Sequence, residues 1–458
     1  MAKSFGKVLK NSAFQTFGAL SVTGFNFLLM MVYARVLGPE GFGALVTSQA
    51  KVLVWMVLVD LGLYHGLIGA LTAADGRRQE RDRQEFRARD LVVRVFWVRM
   101  LGAVLGTCAV AFLARHEEGF WQHMAFTPHL FAIGAQQTAS AYAGFRDRQD
   151  LAVVSISTGV FLTVVLSVLL ALNGASVGWL LLAQSWGGFL AAALMLVFFL
   201  WERTRRVKEE GTRRVERVVQ GPWRQEAWRA IIRDSWPYAT VFACLTLWQR
   251  LDQITVERVL GLETAGNYGL AVRIVAIPIL LSGSVAGALF PDLQRVGRDA
   301  PEKITVFLGM IMKLLYRWGI LLAAAVLLSA GAVISLLLPK YGTALALLPW
   351  FVPGVWAYWL QSFLMNSLFG IRRYRLVVAV HLAALGAFVP SVLILPEVMG
   401  VRGVVWSFDL FCLTLLLTGH WAAARAGALP RRFRFFAPFS APEEELWRGI
   451  TSRLRGVS

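Results

Sequence analysis

The sequence predicts an all-α membrane protein with about twelve transmembrane helices in two six-helix lobes. Of its 458 residues, 57% are hydrophobic, and the mean hydropathy is +0.58, so the chain is more apolar than an ordinary soluble domain. Apolar runs of about 20 residues, the length that crosses the hydrocarbon core of a bilayer, recur along the whole chain. A nine-residue phrase also occurs twice, as RVLGPEGFG from Arg35 and as RVLGLETAG from Arg258. The two copies lie 223 residues apart and agree at six positions, which indicates an internal repeat.

Six predicted spans occupy the first lobe, residues 1–201. Judged from the length of each apolar run and the polar residues between runs, they cover 14–34, 42–68, 95–114, 121–143, 151–172 and 177–200. The first run is too long for a signal peptide and lacks a cleavage pattern after it, so we expect it to remain as a membrane helix. Residues 202–235 form the longest polar stretch, contain ten Lys or Arg residues, and are predicted to be a basic cytoplasmic linker.

The second lobe, residues 236–424, repeats this arrangement with six further spans. They cover 236–256, 266–289, 318–338, 344–368, 376–395 and 403–423. Residues 425–458 are predicted to be a cytoplasmic tail with an amphipathic helix, in which Leu446, Trp447 and Ile450 share a face opposite several arginines. Such a helix lies on anionic lipid headgroups or packs against the cytoplasmic ends of the bundle, and the sequence leaves both alternatives open.

The distribution of charge predicts the orientation of the chain in the membrane. The formal net charge is +18. With twelve spans, the basic segments all lie on one side of the membrane; they are 72–94, 144–150, 202–235, 290–303, 370–375 and the tail. The positive-inside rule then places both termini in the cytoplasm. Because this rule accounts for the net charge, we expect no nucleic-acid partner.

The repeated phrase fits a parallel duplication of a six-helix unit. An even number of spans per lobe gives both lobes the same orientation, so both copies of the phrase are predicted to lie on the outer side. A second echo, GFRDRQDLAVV from Gly144 and GIRRYRLVVAV from Gly370, supports the duplication. A simpler interpretation is that the phrase only makes a tight hairpin, since Gly-Pro-Glu-Gly is strong turn chemistry. The glycines that we expect at these close turns are Gly38, Gly43, Gly261 and Gly266.

No catalytic or metal-binding pattern occurs in the sequence. The three cysteines fall inside apolar runs without CxxC spacing, the six histidines include no HExxH, and no GxxxxGK[ST] phosphate loop is present. Glu117 and Glu118 are interpreted as a solvated loop rather than an acid–base pair. A membrane polymerase or ligase of glycans is the enzymatic alternative, but the short outer loops disfavour it. The sequence therefore predicts no enzyme activity, no cofactor and no metal.

Ionisable residues inside the predicted spans are the candidate functional residues, because a charge in the membrane is costly. The basic candidates are Lys51, Arg250 and Arg273, and the acidic candidates are Asp60, Asp252 and Asp409. Four further basic residues are weaker candidates, because each lies near a predicted cytoplasmic helix end and can snorkel to the interface. These are Arg94, Arg99, Lys313 and Arg317.

Several phrases resemble the Wzx-type polysaccharide flippases of the multidrug/oligosaccharidyl-lipid/polysaccharide (MOP) superfamily. YARVLGPEGFGAL from Tyr33 and DLGLYHGLIGAL from Asp60 are similar to the opening of these proteins. LDQITVERVLGLETAGNYGLAVRI from Leu251 resembles the start of their second half, and ALFPDLQRV from Ala288 resembles the segment that ends their eighth helix. The resemblance covers about residues 14–424, and Asp252 stands where the family often has an acid.

The resemblance implies a V-shaped bundle of two six-helix lobes around a central cavity. It implies that an oligosaccharide linked to undecaprenyl pyrophosphate, as an O-antigen, capsule or exopolysaccharide unit, is moved from the inner to the outer leaflet by alternating access. The implied partners are this glycan, membrane lipids, and a glycan polymerase or another assembly protein. The lipid II branch has two further C-terminal spans, whereas residues 425–458 are polar, so lipid II is not the expected substrate. No motif identifies the glycan or a coupling ion.

The cationic candidates are predicted to hold the pyrophosphate of the substrate. Lys51, Arg250 and Arg273 lie at similar depth, roughly 9–14 Å below the predicted outer ends at ~1.5 Å per residue, and Arg can grip a phosphate with two hydrogen bonds. Structural pairing or snorkelling is the alternative role for each. The predicted substrate-binding residues are Lys51, Arg250, Arg273, Arg35 and Arg258, and the predicted ion-coupling or charge-tuning residues are Asp60, Asp252 and Asp409.

A multidrug exporter of the same superfamily is the alternative function. An exporter of amphipathic cations needs buried acids, whereas the clearest charges are three bases against two acids, which favours an anionic substrate. The bases are Lys51, Arg250 and Arg273, and the acids are Asp60 and Asp252. A third possible function, besides flippase and multidrug exporter, is a scaffold for glycan assembly, which needs no charges inside the membrane. The energy source is open, and an ion gradient is the natural candidate.

Overall fold

The computed structural model describes residues 2–64, 66–68, 81–146, 148–210, 223–299, 301–429, 438–444 and 448. Within these ranges the protein is almost entirely helical and contains no β-strand. Residues 211–222 of the predicted linker lie outside the described residues. The predicted amphipathic helix of the tail also lies almost entirely outside them, at 445–447 and 449–458.

The helices follow the predicted order of spans. In the first part of the chain they are α1 (Ala2–Leu53), α2 (Met56–Asp60), α3 (Arg81–Leu113), α4 (Phe120–Phe126), α5 (Pro128–Phe145), α6 (Gln149–Leu172) and α7 (Val177–Glu210). In the second part they are α8 (Trp223–Asp299), α9 (Pro301–Leu337), α10 (Gly342–Leu347), α11 (Val352–Gly370), α12 (Tyr374–Met399) and α13 (Val401–Arg425). Short 3-10 helices at Pro339–Tyr341 and Leu348–Phe351 flank α10.

Eight stretches of the described chain are long and apolar enough to cross a membrane. One of them, Val22–Asp60, has 39 residues and contains residues 22–34 of the first predicted span and most of the second. Predicted span 121–143 lies on α4 and α5, and the predicted spans 236–256 and 266–289 both lie within α8. Each of the twelve predicted spans therefore falls on largely helical structure, and the predicted all-α membrane fold is confirmed.

The repeated phrase breaks a long helix in both of its copies. Gly38 in α1 has φ 67° and ψ 179°, and Gly261 in α8 has φ 84° and ψ 172°. Both conformations lie in the positive-φ region that glycine adopts at little cost and that a side chain disfavours. The two copies of the phrase thus share a backbone conformation as well as a sequence, as a structural repeat requires.

The second echo marks the ends of α5 and α11. The amide of Arg148 donates to the carbonyl of Ala143 at 2.9 Å, and the amide of Arg373 donates to the carbonyl of Leu368 at 2.9 Å. Both hydrogen bonds span five residues, which is the Schellman type of helix ending. The two halves of the chain therefore end corresponding helices in the same way.

The structure forms two compact units, Met1–Arg250 and Leu251–Ser458. In the first unit α1 packs on α6, α6 on α7, and α5 on both α3 and α7. In the second unit α12 and α11 each pack on α13, and α9 packs on α11. The lobe boundaries at residues 201, 236 and 424 stay predictions.

The predicted span 42–68 is interrupted twice. Residues 54–55 form a turn, and after α2 both Leu61 (φ 45°) and Gly62 (φ 67°) have positive φ. Close packing against α8 explains why glycine stands there, since a Cβ on Gly62 would lie 2.4 Å from the carbonyl oxygen of Ser235. Asp60 thus ends a short helix within a discontinuous span, an arrangement that transporters use around binding sites.

Candidate functional site

Asp60 forms a buried ion pair with Arg99. Nη2 of Arg99 lies 2.9 Å from Oδ1 of Asp60, and Nη1 of Arg99 donates to Oγ1 of Thr138 at 3.2 Å. The Arg99 side chain is 0% exposed and that of Asp60 is 8% exposed. Three elements of the first unit, α2, α3 and α5, therefore meet at one charged cluster.

This pair changes the interpretation of Arg99. The sequence suggested that Arg99 snorkels to the interface, but the structure buries it completely beside an acid. A buried charge needs a counter-charge, so Asp60 itself was the signal that a basic partner should be sought in a neighbouring span. Arg94 does stay half-exposed, and it pairs with Asp90 one turn earlier at 2.9 Å.

Lys51 belongs to a second charged cluster in the first unit. Its Nζ lies 2.5 Å from Oε2 of Glu117, and Nε2 of His123 lies 3.0 Å from the same oxygen. Nδ1 of His123 lies 3.0 Å from Oγ of Ser48. Ser48 and Lys51 are three residues apart on α1 and so face the same side, while the other two residues come from the loop 114–119 and α4.

Glu117 is the exposed member of this cluster. Its side chain is 41% exposed, whereas those of Lys51 and His123 are 17% and 5% exposed. Partial burial raises the pKa of Glu117, but hydrogen bonds from Lys51 and His123 and their charges outweigh it, so the pKa lies below its ordinary value. The interpretation of Glu117 as a merely solvated loop residue therefore needs correction, because it holds two basic side chains.

The other cationic candidates are divided between the two units. Arg250 is half-buried on α8, and its guanidinium is within electrostatic range of the His129 imidazole in the first unit. Arg273 is half-buried on α8 in the second unit, and Arg35 and Arg258 are exposed. The shared pyrophosphate site of Lys51, Arg250 and Arg273 therefore stays a prediction.

Asp252 is buried in the second unit close to the break at Gly261. Its Oδ2 accepts a hydrogen bond from the hydroxyl of Tyr268 at 2.7 Å, and its Oδ1 accepts one from the amide of Gln253 at 2.6 Å. The side-chain amide of Gln253 donates to the carbonyl of Ala265 at 2.9 Å. Two polar contacts thus tie the segments of α8 on either side of the glycine together.

Asp409 is buried between α13 and α11. A Cβ added to Gly354, the third residue of α11, would lie 2.2 Å from Oδ1 of Asp409. This carboxylate lies beside the N-terminus of α11, which favours negative charge. Glycine at position 354 is therefore what allows the acid to approach the helix.

Two of the four predicted turn glycines lie at turns. Gly38 and Gly261 make the helix breaks, whereas Gly43 and Gly266 are helical and buried five residues later. The shared phrase therefore combines one conformational glycine with one that lies within the packed helix.

The comparisons with known proteins agree with this fold. The profile of a family described as "Polysaccharide biosynthesis protein" matches residues 8–296, which is more than half of the chain. The chain belongs to this family. No curated protein matches the sequence of this polysaccharide biosynthesis family member.

Solved structures of the MOP superfamily share its fold. An inward-facing multidrug resistance MATE family transporter has a TM-score of 0.65 at 15% identity and covers 89% of this chain and 95% of its own. The lipid II flippase MurJ, in an inward closed conformation, has a TM-score of 0.63 at 11% identity, with 92% and 88% covered. The MATE multidrug transporter DinF-BH in complex with R6G has a TM-score of 0.64 at 15% identity, with 94% and 97% covered. The predicted resemblance is thus confirmed for the polysaccharide biosynthesis family and for the MOP-type fold, and the family member is a multi-pass membrane protein.

The tail of this family member contacts α9 through two basic residues that were expected to snorkel to the interface. Nζ of Lys313 lies 2.6 Å from Oε2 of Glu443 and donates to the carbonyl of Pro438 at 3.2 Å. The guanidinium of Arg317 lies 5.7 Å from the ring centroid of Phe439. Lys313 therefore pairs with an acid of the tail rather than snorkelling, and residues 438–444 pack on the second unit.

Proposed function

We propose that this protein is a flippase that moves an oligosaccharide linked to polyprenyl pyrophosphate from the inner to the outer leaflet of a bacterial cytoplasmic membrane. One observation carries the proposal, namely that the polysaccharide biosynthesis family match falls on a multi-pass membrane chain of MOP fold. Glycan units assembled on a polyprenyl carrier in the cytoplasm must cross the membrane before they are used outside. Alternating access between the two leaflets performs that step.

Charge supports an anionic substrate. In the first unit the buried acid Asp60 is matched by Arg99, and Lys51 pairs with an exposed loop residue, Glu117. Lys and Arg are the residues that proteins use for phosphate groups. We therefore propose Lys51, Arg250 and Arg273 as residues that hold the pyrophosphate, with Arg35 and Arg258 as further contacts near the repeated phrase.

The acidic residues are proposed to couple transport to an ion gradient. Arg99 already balances Asp60 in the first unit, so Asp252 and Asp409 are the stronger candidates for an ion carrier. Both are buried, and a carboxylate placed in a membrane span is costly unless it has a functional or structural partner. Each cation carried inward gains about 2.3 kcal/mol per 100 mV of membrane potential, which is enough to bias the return step.

Both termini are proposed to lie in the cytoplasm, in keeping with the positive-inside distribution of Lys and Arg. A glycan polymerase or another assembly protein is the proposed protein partner, since the flipped glycan has to be handed on at the outer face.

The test is export of the lipid-linked glycan by cells in which this chain is the only flippase, compared at matched protein level. Arg250→Ala and Arg273→Ala should each abolish export, and Lys at either position should restore it only partly. Arg94→Ala is the matched control, because Arg94 is half-exposed and pairs with Asp90 on its own helix. Normal export by both alanine variants would show that the phosphate-binding residues lie elsewhere.

The alternative function is export of amphipathic cations, and the same strains test it. Efflux of a cationic dye that depends on Asp252 or Asp409, together with unchanged glycan export in a deletion strain, would favour that alternative.

A further inference from the structure

The cluster around Lys51 has the composition of an anion site that already contains an anion. Nζ of Lys51 and Nε2 of His123 both lie within hydrogen-bond distance of one oxygen of Glu117, at 2.5 and 3.0 Å. Oγ of Ser48 completes the cluster through Nδ1 of His123. A carboxylate held by two basic side chains at a single oxygen is bound as a ligand would be bound.

The hydrogen bonds orient His123 toward the anion. Nε2 of His123 donates to the carboxylate of Glu117, which can only accept. Nδ1 of His123 lies 3.0 Å from Oγ of Ser48, which also contacts the carbonyl oxygen of Ala44 at 2.7 Å. An imidazole N–H and the ammonium of Lys51 therefore point at the same carboxylate oxygen.

The anion occupies the open side of the cluster. Glu117 is 41% exposed on the short loop 114–119, whereas His123 is 5% exposed and Lys51 is 17% exposed. The two basic groups are thus held by packing of α1 and α4, while the carboxylate lies on the exposed side. Exposed ion pairs contribute little to stability, so exchanging this carboxylate for a more highly charged anion costs little.

We propose that Ser48, Lys51 and His123 form a binding site for the diphosphate of the substrate, and that Glu117 occupies this site as an internal anion until the diphosphate displaces it. The inference rests on the proposed function for the identity of the anion. A diphosphate is more highly charged than a carboxylate, and its several oxygens suit ammonium, imidazole and hydroxyl donors together. Glu117 then protects the empty transporter from binding other anions and returns when the substrate leaves.

A purely structural role predicts a different behaviour. If Glu117 only holds the loop 114–119 against α1 and α4, its neutralisation loosens the loop and leaves anion affinity unchanged or weaker. If it competes with the substrate, its neutralisation raises affinity. Glu118 gives the matched control, because it is the next residue of the same loop, is exposed, and forms no ion pair with any residue that the structure describes.

The experiment measures binding to the full-length protein in nanodiscs of zwitterionic lipid. Two probes are titrated, inorganic pyrophosphate and farnesyl diphosphate, against wild type, Glu117→Gln, Glu118→Gln and Lys51→Met. Glu117→Gln should bind both probes about fivefold more tightly, in line with the loss of one partly exposed competing ion pair, and Glu118→Gln should match wild type. Lys51→Met should lose binding, both alone and combined with Glu117→Gln.

Equal affinities for the two probes would support a site that recognises the phosphates alone. Tighter binding of farnesyl diphosphate would support recognition of a lipid-linked diphosphate. Glu117→Asp keeps the negative charge but shortens the side chain by one methylene, so it should also bind both probes more tightly. This variant replaces Glu117→Gln in the experiment if the Gln variant does not fold. The proposal is overturned if the affinity for the probes stays the same or falls in the Glu117 variants. It is also overturned if Lys51→Met binds the probes as tightly as wild type. Because this readout needs no transport, its failure leaves the proposed flippase function standing. Conversely, correct binding without glycan export would count only against that function.

Discussion

The guanidinium of Arg99 lies 2.9 Å from the carboxylate of Asp60, and both side chains are shielded from solvent. Removing one member of such a pair leaves a buried charge without compensation. This destabilises the fold more than replacing both members with apolar residues does. The pair also holds the end of α2 in the discontinuous span against α3, so it sets the geometry of this part of the first unit.

Single substitutions of this pair should destabilise the protein strongly. Asp60→Asn and Arg99→Met should each lower the free energy of unfolding by about 3–5 kcal/mol, and the double variant should recover part of that loss. Denaturant unfolding in detergent micelles measures the effect. Arg94→Met is the control, because its pair with Asp90 is half-exposed and should contribute no more than about 1 kcal/mol. Strict additivity of the two substitutions would contradict the pairing.

The glycines of the repeated phrase should resist replacement for conformational reasons. Gly38→Ala and Gly261→Ala should each cost about 1–2 kcal/mol, because a side chain disfavours positive φ, although an added Cβ would meet no atom within 4 Å at either position. Gly24→Ala is the control, since Gly24 is equally open but has ordinary helical φ. Thermal unfolding in detergent should separate these variants.

Larger replacements extend this prediction to transport. The Gly38→Leu, Gly261→Leu double variant should fold poorly or transport slowly, with little change of substrate affinity in the folded fraction, because each break sets the angle between the helical segments on either side of it. Wild-type transport by that variant would mean that the two breaks are dispensable.

The contact between Lys313 and Glu443 should make docking of the tail depend on pH. Burial raises the pKa of Glu443, but hydrogen bonds from Lys313 and Ser440 outweigh it, so the folded-state pKa is below the ordinary value. A carboxyl group with a lowered folded-state pKa stabilises the docked tail fully above the unfolded-state pKa. This stabilisation is lost as the pH falls through the folded-state pKa.

Hydrogen exchange of residues 438–444, measured from neutral to acidic pH, tests this dependence. Wild type should lose protection in the acidic range, and Glu443→Gln should show low protection at every pH. Glu444→Gln should behave as wild type, because Glu444 is half-exposed and pairs only with Arg448 among the described residues. Protection in Glu443→Gln equal to that of wild type would refute the contact.

Much of the fold could be predicted from the sequence, because helix formation in a membrane depends on local hydropathy. The run lengths predicted the helical spans, and the phrase around Gly38 and Gly261 predicted a turn that both copies make. The break after Asp60 could not be predicted, because it depends on the close approach of Gly62 to Ser235 on another helix. A contact between residues so far apart along the chain cannot be predicted from the local sequence.

The candidate sites were predicted less well than the fold. Run length identified Lys51 and Asp60 as costly charges in spans, but their partners, Glu117 and Arg99, come from other segments and were ranked low. Depth along a helix distinguishes snorkelling from burial only when the neighbouring helix is known. The pairing of Lys313 with Glu443 was missed for the same reason, since 130 residues separate the two along the chain.

Cysteine accessibility tests the predicted orientation. In a background without Cys108, Cys244 and Cys412, cysteines at Glu40, Asn173 and Thr343 should react with a membrane-impermeant reagent in intact cells. Cysteines at Gly76 and Gly211 should react only after permeabilisation, because the positive-inside rule places those basic segments in the cytoplasm. Labelling of Gly211→Cys in intact cells would contradict the twelve-span arrangement.

The central claim is that this chain moves a lipid-linked oligosaccharide across a bilayer, and flipping by the purified protein in liposomes tests it most directly. Polyprenyl-pyrophosphate-linked oligosaccharide is placed in both leaflets, and the fraction protected from an external glycan-modifying enzyme is followed with time. The account predicts that wild type removes the protected fraction, that Arg250→Ala and Arg273→Ala leave it intact, and that Arg94→Ala behaves as wild type. A protected fraction that persists with folded wild-type protein under an imposed ion gradient would contradict the account.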